Sequence, residues 1–485
     1  MASDGAARGM HCEDGAAGAH GAATSAAATA AATTGLPGSG WRWTIAGLLS
    51  LAFWLVVGDL GTSMRERAAI PSALALLHRH ATSDTATSLL MSAVPALLSI
   101  LIVPWIGYRS DRSSGRWGRR RPYLLAVVAA GMASMLGLAG SPLLGGFTHA
   151  ALGALSPGQR LCELAYFGLF WTTFECSALS TTSLFTGLVN DLVPRPLLGR
   201  VLAGLRIVSL SVGIAFNTWV FALTDQYLYE ILFAIALAFG LPLLLMCAMV
   251  REAPAAGTDA AARACPPAPL IVPAVRERLL ACFADRSFLW SVAPFMLAAA
   301  TFGPFNTFYQ HYAHVSGIST STLGTLTAYG YSISILSAFG IGALVDRYGA
   351  VRISLIAMCG YFTVAGIGYL WLADAASFRW FYLAHVSISG AYFTAAASMP
   401  MALFPRAQFV QYTSTKDVMV VVGNILVSAI QGPILDSSDH DYHLTLLSAT
   451  LFSLACLGCL LRLEAGRKTA GDHVRSASSL SDLTC

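Results

Sequence analysis

Of the 485 residues, 56% are hydrophobic and only 11% are charged, against about 25% charged in a typical soluble domain. With a mean hydropathy of +0.64, that excludes an ordinary soluble enzyme, and a net charge of +4 is too small for a phosphate-seeking, nucleic-acid-binding surface. The 44 glycines and 20 prolines lie among long apolar runs, the composition of a polytopic membrane protein.

Residues 1–42 form an Ala/Gly/Thr/Ser tract without the continuous apolar core of a secretory signal, and read as a disordered cytoplasmic tail. Apolar runs long enough to cross roughly 30 Å of hydrocarbon then recur near 43–77, 85–108, 122–140, 161–189, 199–223, 228–250, 288–312, 321–344, 352–373, 380–404, 412–434 and 444–463. A Pro/Ala/Arg-rich segment after the sixth run splits the set in two. The expected organisation is a six-helix bundle over 43–250, a cytoplasmic linker over 251–287, a second six-helix bundle over 288–464 and a disordered cytoplasmic tail over 465–485. The expected fold class is an all-α membrane protein of twelve transmembrane helices in two pseudo-repeats.

Arginine sets the orientation. With the N-terminus inside, alternate loops and both tails hold almost all of the 29 Lys and Arg, while the opposite loops hold Arg79, Arg160 and Arg379. This follows the positive-inside rule and predicts a multi-pass cell-membrane protein with both termini cytoplasmic. The ten cysteines are scattered through apolar runs and read as small buried hydrophobes. Cys456 and Cys459 make a C-x-x-C with no neighbouring His or second pair, which does not constitute a metal site.

The halves share a motif. Gly107-Tyr108-Arg109-Ser110-Asp111-Arg112 closes the second run and Gly342-Ala343-Leu344-Val345-Asp346-Arg347 closes the eighth. Both read G-x-x-x-D-R at the same position of each half, which marks the halves as structural repeats. Twelve helices with this loop resemble the major facilitator superfamily over residues 43–464. The longer string from Gly107 through Asp111, Arg112, Arg116, Gly118, Arg119, Arg120 and Arg121 to Pro122 is similar to the branch of plant sucrose–proton symporters and glycoside–pentoside–hexuronide cation symporters. The resemblance implies alternating access around a central site. It also implies a cytoplasmic latch, carried here by Asp111, Arg112, Arg119 and Arg120, and more weakly by Asp346 and Arg347, whose copy lacks the triple arginine. A monomer is implied as well.

Charges inside spans are costly and therefore informative. The first span carries Asp59, Arg65, Glu66 and Arg67. Asp59 and Glu66 share a helical face with Thr62 and Ser63. The two arginines lack an acid three or four residues away, so their partners come from another helix, a substrate or water. If the helix instead ended near Ser63, the apolar stretch 68–77 would sit in water, so a central cavity is the better reading. Glu175 in the fourth span has Trp171 one turn earlier. The pair suits a sugar, with its C–H face on the ring and its hydroxyls on the carboxylate, and it suits a proton site; the structural alternative is a salt bridge from Glu175 to Arg65 or Arg67.

In the seventh span, Phe302-Gly303-Pro304-Phe305-Asn306-Thr307-Phe308-Tyr309-Gln310 combines a Gly-Pro break with a polar, aromatic face at Asn306, Tyr309 and Gln310, as cavity-lining transporter helices do. The eleventh carries Asp417, Asn424 and Gln431 at intervals of seven, with Lys416, one of two lysines, at its start. Lys416 reads equally as a counter-ion of a coupling site or as a charge at the helix mouth; melibiose-type symporters, by resemblance, also carry a lysine in the eleventh helix. Those symporters that use sodium place paired aspartates in the second helix, but residues 85–105 here contain no acid. A hard cation needs several oxygen ligands, so the expected coupling ion is a proton and no cofactor is expected. Arg206, Asn217, His385 and Tyr392 are further cavity candidates, although such groups are commonly helix-end snorkels or satisfied core polar groups.

There is no P-loop, zinc spacing or nucleophile motif, so neither ATP-driven transport nor an enzyme is expected. The functional expectation is a secondary transporter for proton-coupled uptake of a sugar or glycoside, with Glu175 or Asp59 taking the proton. The partners expected are that small molecule and the lipid bilayer. The alternatives are an exporter or antiporter of another small metabolite or drug on the same fold, and a non-transporting membrane receptor or scaffold.

Overall fold

The computed structural model describes residues 45–80, 82–113, 118–193, 195–250, 286–404 and 409–481. The N-terminal tail, most of the 251–287 linker and the latch residue Arg116 lie outside these, and so do the side chains of Asp111 and Arg112. The chain forms two compact units, Met1–Trp54 and Leu55–Cys485. In the first, the described residues are the helical turns from 45 to 54, where Phe53 and Trp54 meet edge-on at 5.2 Å.

All other elements belong to the second unit. After α1 (Ile45–Met64) a π-turn (Arg65–Ala69) leads into α2 (Ile70–Arg79). The second span is α3 (Asp84–Ser88), a π-turn (Leu89–Ala93) and α4 (Val94–Arg112). There follow α5 (Arg121–Ala139), α6 (Ser141–Leu152), α7 (Gln159–Leu192), α8 (Arg195–Ala215) and α9 (Thr224–Met249). The second half comprises α10 (Arg286–Val315), α11 (Thr320–Tyr348), α12 (Ala350–Trp371), α13 (Ala375–Ala396), the short α14 (Met399–Leu403), α15 (Phe409–Ser437) and α16 (His443–Ser481).

Among the described residues, ten helical stretches are long and apolar enough to cross a membrane. One of them, Val201–Met249, contains the fifth and sixth spans, because a π-turn (Phe216–Val220) and a 3-10 turn (Phe221–Leu223) join them without an interrupting loop. Helix α7 is less apolar, since it carries Arg160, Glu163, Glu175 and Asp191, and it completes the twelve. The protein is therefore an all-α membrane protein of twelve helices in two six-helix pseudo-repeats.

A local rule explains two of the irregular turns. Pro71 and Pro95 lack the N–H that would bond the carbonyl four residues back, and in both places the preceding turn widens to a π-turn. Inside hydrocarbon every polar group needs a partner within the protein. Ser180 and Thr181 find theirs on their own helix, donating to Cys176 O at 2.7 Å and Ser177 O at 2.8 Å. In the first half α5 packs on α7 and α9; in the second, α16 packs on α10 and α12, and α13 on α11 and α12. The halves meet along α15 against α3 and α4, and along α11 against α8.

Candidate functional site

The first span continues helically past Ser63 to Arg79, which keeps the apolar 68–77 segment inside the protein and puts the charged cluster in mid-span. The widened turn forced by Pro71 presents Arg65, Glu66 and Arg67 in different directions. Arg65 reaches α7 and grips Glu175 as a fork, with Nε 3.0 Å from Oε1 and Nη2 2.6 Å from Oε2. Both side chains are largely buried, the setting in which a bidentate guanidinium–carboxylate pair is most consequential. Glu175 therefore stands in the salt bridge that its sequence position offered as an alternative. Trp171 is fully buried between Phe167 and Phe174, so its face is not open to a sugar. The expected carboxylate-over-aromatic pair is not brought together at a cleft.

Arg67 turns towards the second half, its guanidinium 4.8 Å from the centre of the Tyr331 ring on α11 and its Nε 3.3 Å from Ser209 Oγ. Glu66 lies between the two arginines, 3.9 Å from Arg65 and 3.6 Å from Arg67, with 56% of its side chain exposed. Exposed Arg206 on α8 stands beside Arg67 and Glu66. Exposed charge at this depth marks a polar cleft between the halves. Asp59 takes the Thr62 hydroxyl at 3.1 Å on Oδ1, while its buried Oδ2 has no hydrogen-bond partner among the described residues.

From the second half, α10 places Asn306 exposed on the face it shares with Gly303 and Gln310. That face looks across the interface, because Gln310 Nε2 donates to Pro71 O of the first half at 2.9 Å. Gln310 also donates to the Tyr309 hydroxyl at 3.1 Å, and Tyr309 stacks on Tyr382 at 5.9 Å. Asn424 on α15 approaches Gly303. Gln431, two turns further, instead accepts from Ser448 Oγ at 2.8 Å and is buried against α16, so the polar stripe of the eleventh span does not face the cleft throughout. Lys416 pairs with Asp417 at 2.5 Å and lies 5.3 Å from the centre of the Phe295 ring; Asp417 is exposed. His385 is buried behind Asn306, Asn217 bonds Gly213 O within its own helix, and Tyr392 is buried near Pro294.

At the arginine-rich end, Arg119 Nη2 and Arg120 Nε converge on Asp191 Oδ2 at 2.8 and 2.7 Å, which ties the loop after α4 to the end of α7 within one half. Gly107 and Gly118 flank this loop, Gly118 with φ 95°. In the second copy Asp346 and Arg347 are exposed, Arg347 lying 5.2 Å from the centre of the Tyr348 ring.

The hydrogen bonds described between the halves lie away from this end. The backbone N–H groups of Asp84 and Thr85, at the start of α3, donate to Asp436 Oδ1 and Oδ2 at 2.8 and 3.0 Å, a carboxylate at a helix N-terminus. The Asp84 carboxylate meets His440 Nδ1 at 2.6 Å and accepts from the Tyr442 hydroxyl at 3.1 Å. This contact with Asp84 holds the His440 imidazole above its ordinary value of 6.5. Thr320 donates to Asp225 at 3.0 Å, and His78 stacks on His314 at 4.7 Å and meets His311 edge-on at 4.8 Å. Gly432 permits a close approach: a Cβ there would stand 2.6 Å from Thr85 Cα. This seal was not among the sequence candidates; the one clue was Asp84, an acid at the rim of a span otherwise free of acids.

A profile described as "Major Facilitator Superfamily" matches residues 49–389, more than half of the chain. Comparison with curated protein sequences gives no significant match. Among solved structures, the chain is similar to a mutant of the nucleoside transporter NupG, with a TM-score of 0.64 at 12% identity, covering 85% of this chain and 99% of that one. It is similar to a bacterial homologue of the iron transporter ferroportin in an inward-facing state, with a TM-score of 0.61 at 13% identity over 86% and 98% of the two chains. It is also similar to the partially occluded, inward-open xylose transporter XylE from E. coli, with a TM-score of 0.61 at 14% identity over 86% and 97%. At these identities the likeness establishes the fold, and together with the profile match it identifies the chain as a member of the Major Facilitator Superfamily.

Proposed function

We propose that the chain is a cell-membrane secondary transporter that takes up a sugar or glycoside together with a proton by alternating access, working as a monomer with both termini in the cytoplasm. The observation that carries this reading is that, among the described residues, the halves are bonded at the arginine-poor end and exposed charged and amide groups lie in the cleft beyond it. With arginine on the cytoplasmic side, this is the inward-facing member of an alternating pair. Amides and aromatic rings at Asn306, Tyr309, Gln310 and Asn424 suit a polyhydroxyl substrate, and a D-xylose–proton symporter shares the fold with a TM-score of 0.59 at 16% identity.

Asp59 is the better proton carrier. It can exchange a proton without breaking an ion pair, whereas Glu175 is committed to Arg65. In the proposed cycle, protonation of Asp59 from outside removes an intramembrane charge and favours closure around the substrate; release follows when the cleft opens inward. The test is uptake of labelled sucrose, maltose and melibiose into proteoliposomes with and without an inward proton gradient. Asp59→Asn is expected to abolish gradient-driven accumulation and spare counterflow. Accumulation by that variant at the parent level would remove Asp59 from the mechanism, and the absence of any sugar uptake by the parent protein would remove the sugar.

A further inference from the structure

Behind the exposed Asn306 lies a buried chain of two further groups. His385 on α13, 2% exposed, has Nε2 3.0 Å from Asn306 Oδ1 and Nδ1 2.9 Å from the hydroxyl of Tyr361 on α12, which is fully buried. The imidazole is packed by Phe302 at 6.3 Å, Phe305 at 4.5 Å, Phe381 at 6.1 Å and Tyr382 at 6.4 Å between ring centres. No carboxylate reaches it among the described residues, and its two polar partners are uncharged, so the ring is the neutral form, with one N–H donor and one lone-pair acceptor.

Two arrangements fit these distances. In one, the Tyr361 hydroxyl donates to Nδ1, Nε2–H donates to the Asn306 carbonyl, and the Asn306 NH2 is left facing the cleft. In the other, Nδ1–H donates to the tyrosine oxygen, the amide is turned round, and the Asn306 carbonyl faces the cleft. The second leaves the Tyr361 hydroxyl proton without an acceptor among the described residues, inside an aromatic core. An unsatisfied buried donor costs about 1–3 kcal/mol, so the first arrangement wins. The network, rather than the similar shapes of oxygen and nitrogen, orients the amide.

We infer that His385 is a positioning residue: the Tyr361–His385–Asn306 chain locks Asn306 as an N–H donor to the cleft, so the transported molecule presents an oxygen acceptor there. Resting on the sugar reading, this means a ring, glycosidic or hydroxyl oxygen recognised through its lone pairs rather than its proton.

The first test needs no substrate. In full-length protein labelled with 15N-histidine, the His385 signals are identified among the eleven histidines by their loss in His385→Gln. A protonated Nε2 and an unprotonated Nδ1 are expected. Tyr361→Phe, close in shape, removes the hydroxyl that selects the tautomer and should give a mixture. A protonated Nδ1 in the parent, or an unchanged tautomer in Tyr361→Phe, overturns the inference.

The second test compares competition by deoxy and deoxyfluoro analogues of the transported sugar. At the position facing Asn306, fluorine keeps an acceptor and hydrogen does not. The deoxy analogue should therefore bind about tenfold more weakly than the fluoro analogue, for roughly 1.4 kcal/mol of lost bonding, and Asn306→Asp should erase or reverse that ranking. Equal binding of the two analogues at every position overturns the donor assignment. Should no sugar compete while Nε2 is found protonated, the relay stands and the sugar reading falls.

Discussion

Replacing Asp436 with Ala should loosen the arginine-poor seal by an amount the structure sets. The carboxylate accepts from two backbone N–H groups at the start of α3, at 2.8 and 3.0 Å. Hydrogen bonds to a charged group contribute about 1.5–3 kcal/mol each. Water replaces both when the halves separate, and the partly exposed site screens the charge, so about 2 kcal/mol for the pair is a reasonable net figure. At roughly 1.4 kcal/mol per factor of ten, the sealed-to-open ratio should fall about 30-fold. The assay is the rate at which a membrane-impermeant maleimide reaches a cysteine placed at Ser72, fully buried on α2, from the sealed side, with the chain lacking that cysteine as background. The rate should rise about 30-fold in Asp436→Ala and less in Asp436→Asn, which keeps one acceptor. An unchanged rate in Asp436→Ala would refute the assignment of this contact to the seal.

The same labelling should depend on pH. The bond to Asp84 raises His440 above 6.5, so its contribution to the sealed form is fully present below that value and fades as pH rises through the raised one. His440→Gln should flatten this part of the pH profile, and an unaltered profile would exclude His440. Valine at Gly324 would collide with the Asn217 carbonyl, so Gly324→Val should favour the unsealed form and speed labelling of Ser72→Cys; labelling at the parent rate would contradict the close packing of α11 on the π-turn at 216–220. Glu175→Gln leaves Arg65 without its fork partner. Unfolding in detergent should lose about 3–5 kcal/mol, the usual cost of breaking a buried pair, and the second change Arg65→Gln should recover part of it. A thermally unaffected Glu175→Gln would mean that the pair is not structural.

Much of the architecture was legible before any contact was known. Twelve apolar runs and a repeated G-x-x-x-D-R follow from chain-local chemistry: span length from bilayer thickness, repeats from spacing. Placing the first-span charges inside the protein was legible too, because the apolar residues 68–77 had nowhere else to go. The partners of those charges were legible only as alternatives, among them a salt bridge from Glu175 to Arg65 or Arg67. Helical periodicity tells which residues share a face, but not which helix that face meets.

Tertiary structure selected Arg65 as the partner of Glu175 across 110 positions of sequence and buried Trp171 against its own neighbours, away from the cleft. It also turned Gln431 onto α16 rather than into the interface. The seal shows the same division, since Asp84, Asp436 and His440 are ordinary rim residues in sequence and become a cluster only where α3 docks on the end of α15. In water such groups would be solvated wherever they lay. Here, buried polar groups must find protein partners, and only the packing of distant helices determines which ones are within reach.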